Sequence, residues 1–466
     1  MNIHFTKNAE IGIIEVEMKP DVIVVGAGAA GIFAAWRAAS LGAKVVLLEK
    51  TSRIGTKILV SGGGKCNICH DGPINDVLKS FRPNEARFIR PSVYKFPSTS
   101  IVPLLTDRGL EVYTRPDGRI FPTHQTAKDV VAILKQLLDE VGVRIFLESP
   151  VEELIVENGK ISGVRVGDHP ERAKRVEPNS GSRYGAKVLL ASALEIEDDH
   201  DTLDVSELRA PCIIVCAGGS SYPNSGTTGD GWKWLKSLGH SIVKTRAALA
   251  PIYLHDVKAD LSGVALRDIV LKAKAPKEVT RWRGDLLFTH QGVSGPCALG
   301  VSRIVTESLE RNEVKLEVDL LPDASEENVV QMLQDENPRM TLARYLQDIL
   351  PERLAEVFLS NASLVGTTSF ANLDRKGRNR MVNQLKNWEI GTVRHVPLEK
   401  GEVVAGGVSL DEVDPQTMQS TLISGLYLCG EVLDVAGPVG GYNLQAAFAT
   451  GFVAGESAHN SLLTKF

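Results

Sequence analysis

The sequence predicts an α/β protein in which a doubly wound parallel-sheet domain is split by an inserted β-plus-α domain. Three observations carry this. Val22 to Val25 and Val45 to Leu48 are short, wholly apolar runs of the kind found in parallel strands buried on both faces, and an alanine-rich helical stretch, Ala29 to Leu41, joins them. From about Ala247 to Val396 the texture changes: Val314 to Leu320 alternates apolar and charged residues, as a half-exposed strand does, and Val329 to Asn387 reads as mainly helical. At Gly425 the first texture returns, with strand-like LYLCGE, a glycine-rich loop, and an alanine-rich helix from Asn443 to Ala458.

In chain order, residues 1–20 read as an N-terminal extension without the apolar core and cleavage site of a secretory signal. Residues 21–245 are the first part of the split domain. Within it, Ala127 to Asp139 has amphipathic helical spacing, and Glu153 to Val166 reads as a hairpin around Asn158-Gly159, the dipeptide a type I′ turn favours. Gly167 to Ala210 mixes proline, serine, glycine and charge, includes the acidic EIEDDHD, and is expected to be a solvated surface insertion. Cys212 to Cys216 is another buried strand. Residues 246–400 form the inserted domain, β-rich over 246–322 and mainly helical over 323–390, and 401–466 complete the split domain.

Composition limits the function. A chain of 466 residues holds two or three domains, and 43% hydrophobic with 23% charged residues is a soluble, globular balance. The net charge of -5 gives no global basic field, so neither nucleic acid nor an anionic membrane is the expected partner. The uncharged run Val22 to Trp36 is shorter than the ~20 residues a bilayer span needs. Six cysteines in a chain this long suggest no disulfide scaffold and a reducing, cytoplasmic setting.

The motif that carries chemistry is Gly26-Ala27-Gly28-Ala29-Ala30-Gly31, between the first strand and the first helix. Gly26 permits the tight turn, Gly28 lets backbone approach a pyrophosphate, and Gly31 lets helix pack on strand; the helix N-terminus beyond them attracts phosphate. Glu49, at the end of the second strand, suits ribose hydroxyls and repels the 2′-phosphate of NADP. The reading is a bound dinucleotide, and the C-terminal return to the first domain favours FAD over NAD. Gly430-Glu431 can close on the phosphate–ribitol part, and the turn at Gly440, Gly441, Tyr442 and Asn443 opens a helix whose N-terminus favours negative charge on a reduced flavin. Ala217, Gly218 and Gly219 form a further glycine-rich exit from a strand.

Several stretches resemble the bacterial NAD(P)/FAD-dependent oxidoreductases of the aminoacetone-oxidase-like and BaiN type. They are GAGAAG with Glu49, SGGGKCN (Ser61 to Asn67), GRIFPTHQTAKDVV (Gly118 to Val131), AGGSSYPNSGTTGDGWKWLKSLGH (Ala217 to His240), LFTHQGVSGP (Leu287 to Pro296), AGGVSLDEVDPQTMQS (Ala405 to Ser420) and GLYLCGEVLDVAGPVGGYNLQAAFATG (Gly425 to Gly451). The resemblance implies a split Rossmann-like FAD-binding domain with an inserted β-barrel-like and helical domain. It also implies roles. Glu49 and Lys50 would lie toward the adenosine ribose, Lys57 and Gly62, Gly63, Gly64, Lys65, Cys66 and Asn67 along the flavin, and Val151 against the adenine. Gly430, Glu431, Gly441, Asn443 and Leu444 would surround ribitol and ring. Where this chain has Lys65, the family pattern has arginine, and where it has Cys69 and His70, threonine and asparagine.

An FAD-dependent oxidoreductase follows: hydride moves between the flavin and a small organic substrate held between the FAD domain and the insert. An oxidase of amines or aminoketones would use oxygen; an enone reductase would be visited transiently by NAD(P)H. His290 is the candidate acid/base, set against a purely structural histidine at a domain contact. Two rivals remain: a disulfide oxidoreductase using Cys66 and Cys69, and a non-catalytic flavin-binding sensor or scaffold. Cys66, Cys69 and His70 lack the further ligands of a recognisable zinc pattern, so no metal is expected. Tyr442 is read as packing beside the flavin, and Trp232 and Trp234 as core or domain-contact residues.

Overall fold

The computed structural model describes residues 19–167 and 206–464. β1 (Val22–Val25), α1 (Ala29–Ser40) and β2 (Val45–Leu48) form the opening unit at the predicted positions. The short α2 (Thr56–Val60) leads into a tight turn over Ser61–Gly64 and then β3 (Cys69–His70). Helices α3 (Ile74–Lys79), α4 (Pro83–Lys95) and α5 (Ser98–Thr106) precede a hairpin of β4 (Val112–Thr114) and β5 (Arg119–Pro122), whose second strand pairs with β3.

α6 (Ala127–Glu140) buries one apolar stripe. Thr126 caps it, and the Asp129 carboxylate accepts from the Thr126 N–H at 2.7 Å, completing a capping box. After β6 (Arg144–Phe146), strands β7 (Val151–Glu157) and β8 (Lys160–Val166) turn through Asn158 and Gly159, both at positive φ. β9 (Glu207–Arg209) pairs with β8, so the far end of the expected surface insertion is a strand. The rest of that expectation falls on residues 168–205, outside the described residues, as does most of the N-terminal extension. β10 (Cys212–Val215) and α7 (Asp230–Ser237) follow.

The insert hangs on a two-stranded stalk, β11 (Ile242–Ala248) against β18 (Val403–Val408). Beyond it, β12 (Ile252–Leu254), β13 (Ala265–Ala275), β14 (Glu278–Thr289), β15 (Gly292–Ser294), β16 (Lys315–Asp319) and β17 (Trp388–His395) close into a barrel. Closure removes the exposed strand edges that the alternating pattern of β16 would otherwise leave. α8 (Pro296–Leu309) links β15 to β16. Between β16 and β17 lie α9 (Glu326–Asp335), α10 (Leu342–Ile349), α11 (Glu352–Asn361) and α12 (Arg375–Asn387). The insert has its own apolar core, separate from that of the parallel-sheet domain.

The chain then returns as β19 (Leu426–Leu428) and α13 (Tyr442–Leu463). The parallel sheet has the order β19-β10-β1-β2-β6. Since β2 lies on one side of β1 and β10 on the other, the order reverses there, and a crevice opens at the strands' carboxyl ends. α13 lies against α1 at very short range: a Cβ added to Gly451 or Gly455 would fall 2.2 Å from the carbonyl oxygen of Ala30 or Ala34. No helix among the described residues is long and apolar enough to cross a membrane.

Candidate active site

A cleft of about 520 Å³ opens at this crevice and continues to the base of the insert. Its floor is the glycine turn. A Cβ on Gly26, at φ +99°, would meet the Cys216 carbonyl oxygen at 2.6 Å, and one on Gly31 would meet the Gly26 oxygen at 1.8 Å. Gly28 has nothing within 4 Å in that direction and faces the cleft. Gly28 starts α1 with no side-chain cap, so the first-turn N–H groups remain for an anion. Ala29 and Ala30 line the same wall, while Gly31 is packed beneath it.

Glu49 braces this turn. Its Oε2 accepts the Ala27 N–H at 2.8 Å, and its Oε1 accepts the Thr51 N–H at 2.9 Å. Oε1 also accepts the Thr51 hydroxyl at 2.9 Å, so Oε2 is the oxygen that keeps a lone pair for a ribose hydroxyl, and Glu49 lines the cleft. Lys50 lines it too, but its ammonium is held by Thr228 at 2.6 Å and Asp230 at 2.7 Å.

Glu431 is a junction of four segments. It accepts from Lys57 of α2 at 2.6 Å, from the Val404 N–H at 2.9 Å and from the Gly219 N–H at 3.3 Å, and Lys57 also donates to Ser221 at 3.0 Å. Lys57, Glu431, Gly430, Ala217 and Gly218 all line the cleft, as does Val151; Gly219 supports from behind.

In SGGGKCN, Gly62, Gly63 and Asn67 line the cleft, whereas Gly64, Lys65 and Cys66 do not. Gly62 and Gly63 take left-handed φ of 56° and 67°, which curls the backbone past the opening. Asn67 Oδ1 is buried without a partner, an acceptor left for a ligand. From the C-terminal return, Gly441, Asn443 and Leu444 line the cleft, and α13 begins with no side-chain cap. Tyr442 turns away, stacks on His70 with centroids 4.4 Å apart, and its OH lies 3.1 Å from His70 Nε2. His70 Nδ1 sits 3.1 Å from the Gly440 oxygen. Thus His70, one of the positions departing from the family pattern, anchors the turn that opens α13.

His290 is not brought to the cleft. It lies exposed in the turn between β14 and β15, and the nearest residues of its segment to reach the opening are Pro296 and Leu299, after the hairpin has reversed the chain. The thiols of Cys66 and Cys69 are both buried; burial pushes Cys66 up to about 11 and Cys69 higher still. Cys69 begins a strand rather than a helix, so no helix N-terminus favours its thiolate. Among the described residues no three His, Cys, Asp or Glu side chains gather around a point that suits a metal ion.

Sequence reasoning missed two features. Arg115, Arg119 and Phe121 of the β4–β5 hairpin line the cleft, with the Arg119 guanidinium 3.1 Å from Asp117. The GRIFP stretch that holds Arg119 and Phe121 carried the resemblance without a role. Glu402, just before AGGVSL, also lines the cleft, beside Leu249, Val403, Leu299 and Val439, which pack together as a small apolar cluster at the base of the insert. Burial pushes its carboxyl above the ordinary value, with nearby Lys57 opposing. Glu402 has open surface because it faces the cleft, and the protein packed around it disfavours its charge.

A profile of the family described as HI0933-like protein Rossmann domain matches residues 20–182 and 186–457. The chain belongs to this family. It is 28% identical to the ribosomal RNA dihydrouridine synthase of Haemophilus influenzae, over 92% of this chain and 96% of that protein. It is 27% identical to the 3-dehydro-bile acid delta(4,6)-reductase of Clostridium scindens, over 93% and 98%. In fold it is similar to the 3-ketosteroid delta1-dehydrogenase of Sterolibacterium denitrificans, with a TM-score of 0.53 and 15% identity, over 95% of this chain and 100% of that one. The HI0933-like family is one of flavin-dependent oxidoreductases, with FAD as cofactor. The residues here fit that group: two uncapped helix N-termini in one cleft, an open Gly28, and an unpartnered Asn67 carbonyl oxygen.

Proposed function

We propose that this HI0933-like protein is an FAD-dependent reductase that saturates a carbon–carbon double bond conjugated to a carbonyl, with NAD(P)H as a transient electron donor. The observation that carries this reading is chemical. Dihydrouridine is uridine with its ring double bond saturated, and a delta(4,6)-reductase of a 3-dehydro steroid saturates bonds conjugated to the 3-ketone. Two relatives matching more than nine-tenths of the chain thus share one reaction type on unlike substrates.

Bound FAD supplies the two-electron carrier between nicotinamide and acceptor. The chain supplies the rest. Gly26 and Gly28 with the start of α1 would hold the diphosphate of FAD, and Gly62, Gly63 and Asn67 with the start of α13 would hold the flavin. Arg119, on the cleft wall, donates to the acceptor's carbonyl oxygen and stabilises the negative charge that grows there. Leu249, Leu299 and Val439 exclude water from the acceptor's end of the cleft.

The acceptor is first a uracil ring in RNA. Although the chain is acidic overall, α12 carries Arg375, Lys376, Arg378 and Arg380 with no acidic residue, a local surface suited to phosphates. The second reading is a small cyclic enone, favoured by the apolar cluster beside Glu402.

The test is anaerobic reduction of the purified protein by NADH and NADPH. Uridine-containing ribosomal RNA, a cyclic enone or oxygen is then added. Reoxidation by RNA, with uridine gaining two hydrogens by mass spectrometry, is the expected result; reoxidation by the enone alone selects the second reading. Flavin reduced by amines and reoxidised only by oxygen would identify an oxidase. Flavin that no donor reduces would identify a sensor or scaffold.

A further inference from the structure

Glu402 stands apart from the other acids of the cleft. Glu49 is spent on the glycine turn, Glu431 on Lys57 and two backbone N–H groups, and Asp230 on Lys50. Among the described residues no hydrogen bond or ion pair engages the Glu402 carboxyl, although its backbone N–H is fixed to the Leu249 oxygen at 3.0 Å. The main chain is therefore held at the seam between stalk and insert, and the side chain is left to the cleft.

Its surroundings are apolar on the insert side: Leu249 from the end of the stalk, Pro296 and Leu299 from α8, Val403 from β18, and Val439 from the C-terminal return. Lys57 from α2 is the charged group that acts on it, and Lys57 is itself neutralised by Glu431 at 2.6 Å. A carboxyl in such a place stays protonated further up the pH scale than an ordinary glutamate, which is the state a proton donor needs.

We propose that Glu402 is the proton donor that completes reduction of the conjugated double bond. This rests on the reading of the protein as a conjugated-bond reductase. Bound FAD would supply the hydride, drawn from NAD(P)H; its addition to the carbon β to the carbonyl breaks the π bond. The displaced electron pair is carried as an enolate whose oxygen faces Arg119. The Glu402 carboxylic acid gives its proton to the α carbon and becomes carboxylate, and solvent returns the proton. The acceptor gains hydride and proton, and NAD(P)H leaves as NAD(P)⁺.

The experiment compares wild type, Glu402→Gln and Glu402→Asp, all loaded with FAD. Infrared titration of the wild type should show a carboxylic acid band that persists above the ordinary glutamate range and is missing from Glu402→Gln. In rapid-mixing experiments, reduction of the flavin by NAD(P)H should be unchanged in Glu402→Gln. Transfer to the acceptor should slow by about 10²–10⁴-fold, with partial recovery in Glu402→Asp. A band that titrates in the ordinary range, a Glu402→Gln variant that keeps pace with wild type, or one that loses FAD instead, overturns the proposal alone. Wild-type protein that reduces neither the RNA nor the enone overturns the reading of function, and the proposal with it.

Discussion

Under α1 the cleft is made of backbone: Gly26 and Gly28 over Gly31, with Gly62 and Gly63 on the facing turn. At the insert it is made of side chains: Leu249, Leu299, Val439 and Glu402, drawn from segments nearly 200 residues apart in the chain. At the first end a neighbouring carbonyl oxygen occupies the space a Cβ would need on Gly26 and Gly31, Gly62 and Gly63 take left-handed φ, and Gly28 is left open toward the cleft. The second demands particular functional groups, and any segment that folds to that place can supply them. The glycine end is therefore expected to tolerate few substitutions at Gly26 and Gly31, and the insert end to tolerate substitution with less cost to folding.

The sharpest break of that contrast is at the packed glycines. Gly31→Val would set a side chain 1.8 Å from the Gly26 oxygen, and Gly451→Leu would wedge α13 off α1. Both variants are expected to lose bound flavin and cooperative unfolding together, measured by flavin absorbance and a circular dichroism melt. Retention of FAD by either would show that the turn adapts, and would remove the distinction between the two ends.

Glu431→Gln comes next. It removes the ion pair with Lys57 and leaves one acceptor oxygen where the Val404 and Gly219 N–H groups now use one carboxylate oxygen each. A loss of about 1–3 kcal/mol in unfolding free energy is expected, with weaker FAD retention. An unchanged melt would place the Lys57 pair outside the forces that hold the two halves of the split domain.

A smaller, pH-dependent effect belongs to the insert's attachment. Arg246 and Lys244 of β11 hold the Glu310 carboxyl, at the end of α8, down to about 2. Because the folded value lies below the ordinary 4.5, the stabilisation is present above pH 4.5 and is lost as pH falls toward 2. Wild type is expected to melt above Glu310→Gln at neutral pH, and the two curves should converge in acid. Curves that stay parallel would remove this pair from the attachment.

The smallest effect is expected at Cys69→Ser. With both thiols of the Cys66–Cys69 pair buried and raised, the variant should retain flavin and turnover. Abolished turnover would revive dithiol chemistry.

Much of the fold was legible because its constraints are local. GAGAAG, the runs 22–25 and 45–48, and Asn158-Gly159 each dictate one conformation within a few residues, and the structure places a strand, a helix or a turn at each. Gly451 and Gly455, four residues apart, were a readable signal of close helix packing that the alanine-rich composition obscured. His290 shows the opposite case. Its motif marked a segment near the cleft, but a hairpin of the barrel leaves the histidine outside, and sequence carries no measure of where a turn points. Glu402 and Arg119 are ordinary residues by sequence.

By itself, then, the sequence determined the α/β class, the split by an insert and the glycine turn between β1 and α1, since periodicity and glycine spacing are short-range requirements. Only the tertiary structure decided which side chains share the cleft and which carboxyl is left unpaired there. Burial and charge depend on neighbours that the chain brings together from hundreds of residues away.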